Sequence, residues 1–355
     1  MSFGLNGTVL SWICSYLDQR QQHVCHRGNQ SATSDVQFGV PQGSVLGPLL
    51  FVLYTADIVN IIACQGLSAH QYADDIQVYG RCRPNDATSL RLELGSCIEQ
   101  VAEWMITNRL QLNAAKTEFI WFVPPRRRHQ LPSVHLVVGS AQVNPATSVR
   151  DLGVYLDSDL SMKSHITLLV CSCFGVLRQI RSIRRSLPRE SVLTLISSLV
   201  MSKLDYCNVA YAGLPRCELD RLQSVMNAAA RLTVGAQLHD HITPLLADLH
   251  WLRIPQRIQY KLCVLVFNCV HGTAPRYLQE VIRPVESIEP RRRLRSASSA
   301  DLTVPATRRS TLGDRAFAVA GPRAWNTLPD AIRRCSSPDT FKRSLKTHLY
   351  IQSYF

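Results

Sequence analysis

The hydrophobic pattern of this chain changes period once, at Leu160, and that change limits the folds open to it. Upstream, short apolar runs alternate with turn-rich segments. Strands are expected at 118–123, 134–138 and 152–156, and a hairpin at 71–79, each bounded by turn formers. Three helices are expected among them. One carries Val9, Leu10, Ile13, Tyr16 and Leu17, and one carries Leu46, Leu49, Leu50 and Leu53, starting close to Pro48. The third places Leu90, Leu94, Cys97, Ile98, Val101, Trp104 and Met105 on one face. Downstream of Leu160 only the helical period persists, over 166–183, 191–204, 219–232 and 258–270. After Gly272, proline and arginine become frequent and the period weakens. The pattern implies an α+β part over 1–158, a helical part over 159–272, and a basic, partly irregular region over 273–355.

Charge follows the same division. Residues 1–158 hold 11 Lys and Arg against 12 Asp and Glu, whereas residues 159–355 hold 28 against 14. A cationic half beside a near-neutral half points to a polyanion held by the C-terminal part. The 46% hydrophobic and 18% charged content is that of a globular chain. The greasiest stretches are read at 192–200 and 262–270, too short to span a bilayer, and no membrane partner is expected. No basic residue precedes Arg20, so a secretory leader is not expected. Twelve cysteines without regular spacing fit reduced, mostly buried thiols in the cytoplasm or nucleus.

Two segments carry chemistry. Tyr72-Ala73-Asp74-Asp75 puts two adjacent carboxylates at the centre of the expected hairpin. Such a pair repels itself unless water or a cation neutralises it, and hard divalent ions take their oxygens from one or two carboxylates plus phosphates. The same four residues also suit a solvated acidic turn. Gly39-Val40-Pro41-Gln42-Gly43-Ser44 is a loop whose glycines permit close backbone approach, placed ahead of a helix start that favours phosphate. An ordinary Pro/Gly turn before a core helix has the same composition. Arg178, Arg181 and Arg185 share one helical face, away from Leu177, Ile180 and Ile183, and fit either phosphate contact or a solvated surface. Arg126-Arg127-Arg128 and the Arg291–Arg295 cluster read as basic loops. His239, His241, His250, Cys263 and Cys269 lack zinc-finger spacing.

Taken in order, the Gly-x-Pro-Gln-Gly-Ser loop and the Tyr-x-Asp-Asp hairpin resemble the palm of reverse transcriptases. The resemblance continues through Leu110-Gln111-Leu112-Asn113, Lys116-Thr117-Glu118 and Val149-Arg150-Asp151-Leu152-Gly153-Val154. It extends to His250-Trp251-Leu252, Ala274-Pro275-Arg276-Tyr277-Leu278 and Trp325-Asn326-Thr327-Leu328-Pro329, a pattern similar to non-LTR (LINE-type) elements of the jockey-like and chicken-repeat-like groups. It implies an α+β fold with a partial right-hand polymerase palm, an α-helical thumb and a basic C-terminal region. By the same resemblance Asp74 and Asp75 are the catalytic pair and hold Mg²⁺ (or Mn²⁺). Tyr72 and Ala73 pack beneath the primer end, Pro41, Gln42 and Gly43 line the incoming nucleotide and template base, and Lys116 lies near the nucleotide phosphates. Arg178, Arg181 and Arg185 become thumb contacts to nucleic acid. The implied partners are an RNA template, a DNA primer and deoxynucleotides.

One departure stands against these matches. The family carries a further aspartate, and a bulky residue that excludes ribonucleotides, on a palm strand upstream of the segment beginning here at Phe3-Gly4-Leu5; the first acidic residue in this chain is Asp18. The expectation is therefore an N-terminally truncated RNA-directed DNA polymerase that is catalytically incompetent alone and holds its metal weakly. The alternative is a nucleic-acid-binding remnant without enzymatic activity.

Overall fold

A computed structural model describes residues 4–36, 39–40, 43–285, 300–307 and 311–355. By packing, the chain forms two compact units that divide between Ala146 and Thr147.

In the first unit, helix α1 (Gly7–Leu17) is followed by four two-residue strands, β1 (Gln21–Gln22), β2 (Cys25–His26), β3 (Asn29–Gln30) and β4 (Ser34–Asp35). β1 pairs with β4 and β2 with β3, both antiparallel. The glycine loop then leads into α2 (Gly47–Tyr54) and α3 (Asp57–Cys64), two short helices broken at Thr55–Ala56. Next come β5 (Ser68–Tyr72) and β6 (Asp75–Tyr79), and then α4 (Ala87–Thr107), which buries Leu90, Leu94, Cys97, Val101 and Met105 at helical spacing. With Ile58 and Ile62 of α3 these side chains form the core against which the β5–β6 hairpin lies. At Gly80, just past the hairpin, a Cβ would stand 2.6 Å from Leu90 Cδ1 and 2.9 Å from Leu67 Cδ2, so any larger residue would have to displace these core leucines. The unit closes with β7 (Phe119–Ile120), β8 (Leu136–Val138), β9 (Ala141–Val143) and β10 (Pro145–Ala146), the last parallel to β7.

The second unit opens on a tight hairpin, β11 (Ser148–Asp151) and β12 (Val154–Asp157). Its two-residue turn has Leu152 at φ 45° and Gly153 at φ 83°, the mirror-image turn that matches strand twist. The Tyr206 hydroxyl donates to the Leu152 carbonyl at 2.6 Å and holds the strained leucine. Helices α5 (Lys163–Ile183), α6 (Arg189–Ile196), α7 (Ser202–Asp205), α8 (Arg216–Val234), α9 (Ile242–Asp248) and α10 (Ile254–Val270) follow. The Asp157 carboxylate caps α5 by accepting from the Ser164 N–H at 3.1 Å. A π-turn over Ser197–Met201 joins α6 to α7, so the segment read at 191–204 is one interrupted helix. α11 (Arg276–Gln279), α12 (Phe317–Asn326), α13 (Asp330–Arg333) and α14 (Pro338–Tyr354) complete the chain.

Among the described residues the strands form six two-stranded ladders, five antiparallel and one parallel, so the fold is mixed α and β without a broad sheet. Among the described residues after Gly272, four helices form where the sequence period weakens. Phe341 of α14 stacks on Phe267 of α10 at 4.3 Å, and both share a core with Trp325 of α12. Pro338 opens α14 in its first turn, where the missing N–H removes no helical bond. The basic cluster Arg291–Arg295 lies outside the described residues. Of the cysteines, all free, only Cys97, Cys173, Cys263 and Cys269 are buried, so the mostly buried thiols read from the sequence are corrected: seven are exposed. The segments Gly47–Cys64 and Lys163–Ser186 are each long and apolar enough, by length and composition alone, to cross a membrane; neither is among the apolar stretches read from the sequence. The first is interrupted between α2 and α3, and α5 in the second buries Ile166, Leu169, Cys173, Leu177 and Ile180 in the helical core.

A histidine is buried beneath the β11–β12 hairpin. His165 Nδ1 accepts from the Tyr155 N–H at 3.4 Å, so the neutral ring carries its proton on Nε2, 2.8 Å from the Tyr211 hydroxyl. Burial lowers the His165 pKa below its ordinary value of 6.5, with the Asp157 charge opposing the shift. The unfolded chain therefore takes up the proton first as pH falls, and stability declines as pH drops below about 6.5. Thermal melts between pH 7.5 and 5 should show a falling midpoint. His165→Gln should lower the midpoint at pH 7.5 and flatten part of this decline; an unchanged pH profile in the variant would remove His165 as its source.

Candidate active site

The paired carboxylates sit where the chain reverses between β5 and β6. Pairing runs from Ser68 opposite Tyr79 to Tyr72 opposite Asp75, leaving Ala73 and Asp74 as a two-residue turn. Ala73 has φ 53°, a left-handed conformation that costs an L-residue about 1–2 kcal/mol. Ala69, Ile76 and Val78 are half-buried against the core of the first unit, which leaves the tip in water. Asp74 and Asp75 are both exposed, as is Tyr72 at 67%. High dielectric is what allows two like charges on neighbouring residues without a large penalty.

The strained turn is held from behind. The Gln71 side-chain amide donates to the Ala73 carbonyl at 3.3 Å and also to the Thr55 hydroxyl. Thr55 is fully buried at the break between α2 and α3, and its hydroxyl donates to the Phe51 carbonyl at 2.8 Å. This chain of bonds joins the helix that follows the glycine loop to the turn that carries the carboxylates. At the other end of α2, Ser44 Oγ accepts from the Gly47 N–H at 3.2 Å and meets the Tyr16 hydroxyl at 2.5 Å. Gly39 and Gly43 have φ of 80° and 84°, which glycine adopts without strain. Pro41 and Gln42 lie outside the described residues.

No hydrogen bond or ion pair among the described residues links the remaining expected residues to this assembly. Lys116 is exposed at the end of a 3₁₀ turn, Ala114–Lys116, whose start is capped by the Asn113 side chain at 3.3 Å. Arg178 and Arg181 are exposed on α5 in the second unit, while Arg185 falls past the helix end in the 3₁₀ turn Arg184–Ser186. Leu177 and Ile180 are buried beneath them, but Ile183 is 50% exposed, so the apolar face is shorter than its spacing implies. Arg184, which the pattern did not single out, donates to the Leu232 carbonyl at 3.1 Å and helps terminate α8. Arg126, Arg127 and Arg128 occupy a 3₁₀ turn, Pro125–Gln130.

As a donor set, Asp74 and Asp75 offer hard carboxylate oxygens open to solvent, which fits a divalent ion completing its shell with water and phosphate. Among the described residues no group of three or more His, Cys, Asp or Glu side chains converges as a closed metal cage. The Thr55–Gln71 link was not legible from spacing, although a threonine ending an apolar helix and a glutamine abutting the carboxylate motif are its only sequence traces.

A hairpin-mounted carboxylate pair tied to a glycine loop is the arrangement found where residues 2–156 match the family model of the reverse transcriptase (RNA-dependent DNA polymerase). The chain is 26% identical over 265 residues to the RNA-directed DNA polymerase from mobile element jockey of Drosophila funebris, covering 72% of this chain and 28% of that protein. It is 27% identical over 244 residues to the probable RNA-directed DNA polymerase from transposon X-element of Drosophila melanogaster, covering 66% and 26%. It is 25% identical over 257 residues to that from transposon BS of the same species, covering 69% and 27%. Residues 2–156 are thus a reverse transcriptase domain, and the chain is similar to the jockey-like enzymes of non-LTR retrotransposons. It spans little more than a quarter of the length of these relatives. No solved structure matches it.

The Gln71–Thr55 bond should be measurable as a coupling. Thr55→Val and Gln71→Met should each destabilise the chain by about 1–2 kcal/mol, because each leaves a polar partner unsatisfied. The double variant should cost less than the sum by about 0.5–1.5 kcal/mol, read by denaturant unfolding; strict additivity would show that the two side chains do not communicate.

Proposed function

We propose that this chain supplies the palm hairpin and the thumb of an RNA-directed DNA polymerase acting on an RNA template and a DNA primer. The observation that carries the reading is the Ala73–Asp74 turn, which presents two exposed carboxylates from a hairpin bonded through Gln71 and Thr55 to the helix behind the glycine loop. In this reading Asp74 and Asp75 hold Mg²⁺ (or Mn²⁺), which when bound would neutralise charge on the attacking and leaving oxygens. Tyr72 and Ala73 support the primer end, and Gly43, with Pro41 and Gln42, borders the incoming nucleotide and template base. Lys116 faces the nucleotide phosphates. The bond from Gln71 sets the tip, so positioning is built into the scaffold before any ligand arrives.

Two carboxylates on one turn make a thin donor set for two-metal chemistry. The 355-residue chain by itself is therefore expected to make no product on a primed RNA template with Mg²⁺ or Mn²⁺. Joined to the preceding palm and fingers segment of an active relative, it should synthesise DNA. In that chimera Asp74→Asn should abolish synthesis while leaving template binding nearly intact, since these carboxylates act chiefly in the transition state. Equal losses of rate and binding would argue against the catalytic role of Asp74, and synthesis by the chain alone would overturn its incompetence.

A second reading, nucleic-acid binding without polymerisation, is favoured by the concentration of positive charge after residue 158. It places the polyanion on the helical unit, with Arg178, Arg181 and Arg185 as thumb contacts to backbone phosphates. Replacing these three with Ala should weaken duplex binding uniformly across sequences and lower the salt slope by up to about three units. Titrating labelled RNA–DNA duplex at several salt concentrations tests this, and an unchanged slope would remove the α5 stripe from the contact.

A further inference from the structure

Among the described residues of the second unit, several arginines are matched by carboxylates. Arg257 meets Asp205, Arg323 meets Asp314 at 3.0 Å, and Arg333 meets Asp301, each cation serving to fasten one element to another. A different pattern appears on α14. Phe341, Leu345 and Leu349 are 0% exposed, which fixes the rotation of the helix and turns Lys342, Arg343 and Lys346 outward. Among the described residues the side chains of these three make neither a hydrogen bond nor an ion pair, although Asp339 precedes Arg343 by one turn. Helix α14 is also firmly seated. The Tyr350 hydroxyl donates to the Ala247 carbonyl at 2.9 Å, and the Tyr354 hydroxyl bonds the Trp251 carbonyl. The three cations therefore stand on a backbone already fixed in place, so a ligand that meets them has only their side chains left to order.

We propose that the outer face of α14, through Lys342, Arg343 and Lys346, is a second RNA-backbone contact, separate from the stripe on α5. The proposal rests on the reading of this chain as a nucleic-acid-binding polymerase part. Lys342 and Lys346 lie one turn apart, about 6 Å along the axis, a spacing on the scale of neighbouring phosphates. No large apolar side chain is exposed between them, which disfavours a protein partner, whose interface needs a dry centre, and a lipid surface, which needs an apolar wedge. The helices pack in the order α5, α8, α10, α14, so the two stripes are up to three interaxial steps apart, about 25–30 Å. One RNA reaching both would be held at two places, and neither stripe would substitute for the other.

The test uses the whole chain and a fluorescent single-stranded RNA of about 20 nucleotides, titrated at a series of salt concentrations. Lys342→Gln, Arg343→Gln and Lys346→Gln combined should leave the circular dichroism spectrum and thermal midpoint unchanged. They should lower the slope of log affinity against log salt by up to about 2 units, at about 0.7 per phosphate on single strands. Adding Arg178→Ala, Arg181→Ala and Arg185→Ala should lower it further. Binding by the wild-type chain with an unchanged slope in the α14 variant overturns this proposal alone. Failure of the wild-type chain to bind RNA at low salt overturns the parent reading with it. Preferential binding to phosphatidylserine vesicles overturns the choice of partner.

Discussion

Two carboxylates on neighbouring residues repel each other, and a protein that presents them must keep both in water while fixing where they point. The first unit meets both demands with one hairpin. Its strands are half-buried on the side of Ala69, Ile76 and Val78, and its tip projects clear of the core. A two-residue turn is the shortest connection that leaves Asp74 and Asp75 at the end of the ladder, and it forces Ala73 into a left-handed conformation. The Gln71 amide bonds the Ala73 carbonyl and so offsets the strain at its source. Because the same amide reaches Thr55, whose hydroxyl bonds within α2, the position of the carboxylates is linked to the helix that follows the glycine loop. Repulsion, exposure, strain and support are thus parts of one arrangement.

The second unit solves a different problem, that of carrying excess positive charge on a stable body. Its helices bury long apolar faces, and its matched arginines are used to fasten elements. Arg315 donates to the Leu160 and Ala210 carbonyls, tying the segment ahead of α12 to loops far earlier in the chain. Such bonds to backbone carbonyls anchor the late helices, which composition alone presents as a loose basic tail. Once the structural cations are accounted for, the unmatched ones on α5 and α14 stand out. A cation that already holds a carboxylate must break that bond before it binds phosphate, whereas a solvated one exchanges only water and counterions. Pairing, more than charge count, separates the fastening arginines from those available to a ligand.

The sequence by itself determined the order and type of most elements. The change of period at Leu160 separates mixed structure from helix, and the spacing of Leu90, Leu94, Cys97, Val101 and Met105 specifies α4 and its buried face. The hairpin that carries the carboxylate pair was equally legible, because adjacent acids between two short apolar alternations mark a turn within a few residues. Tertiary structure decided what depends on residues distant in the chain. It split the apolar run after Pro48 at Thr55, bonded that threonine to Gln71, and placed Arg185 past the end of α5. It also drew Phe341, Trp325 and Phe267 into one core, which no local pattern announces. Periodicity records which side of an element is apolar, and it is silent on which other element will cover that side. The partner is chosen by packing and by the need to satisfy each buried polar group, and both are settled only when the whole chain closes on itself.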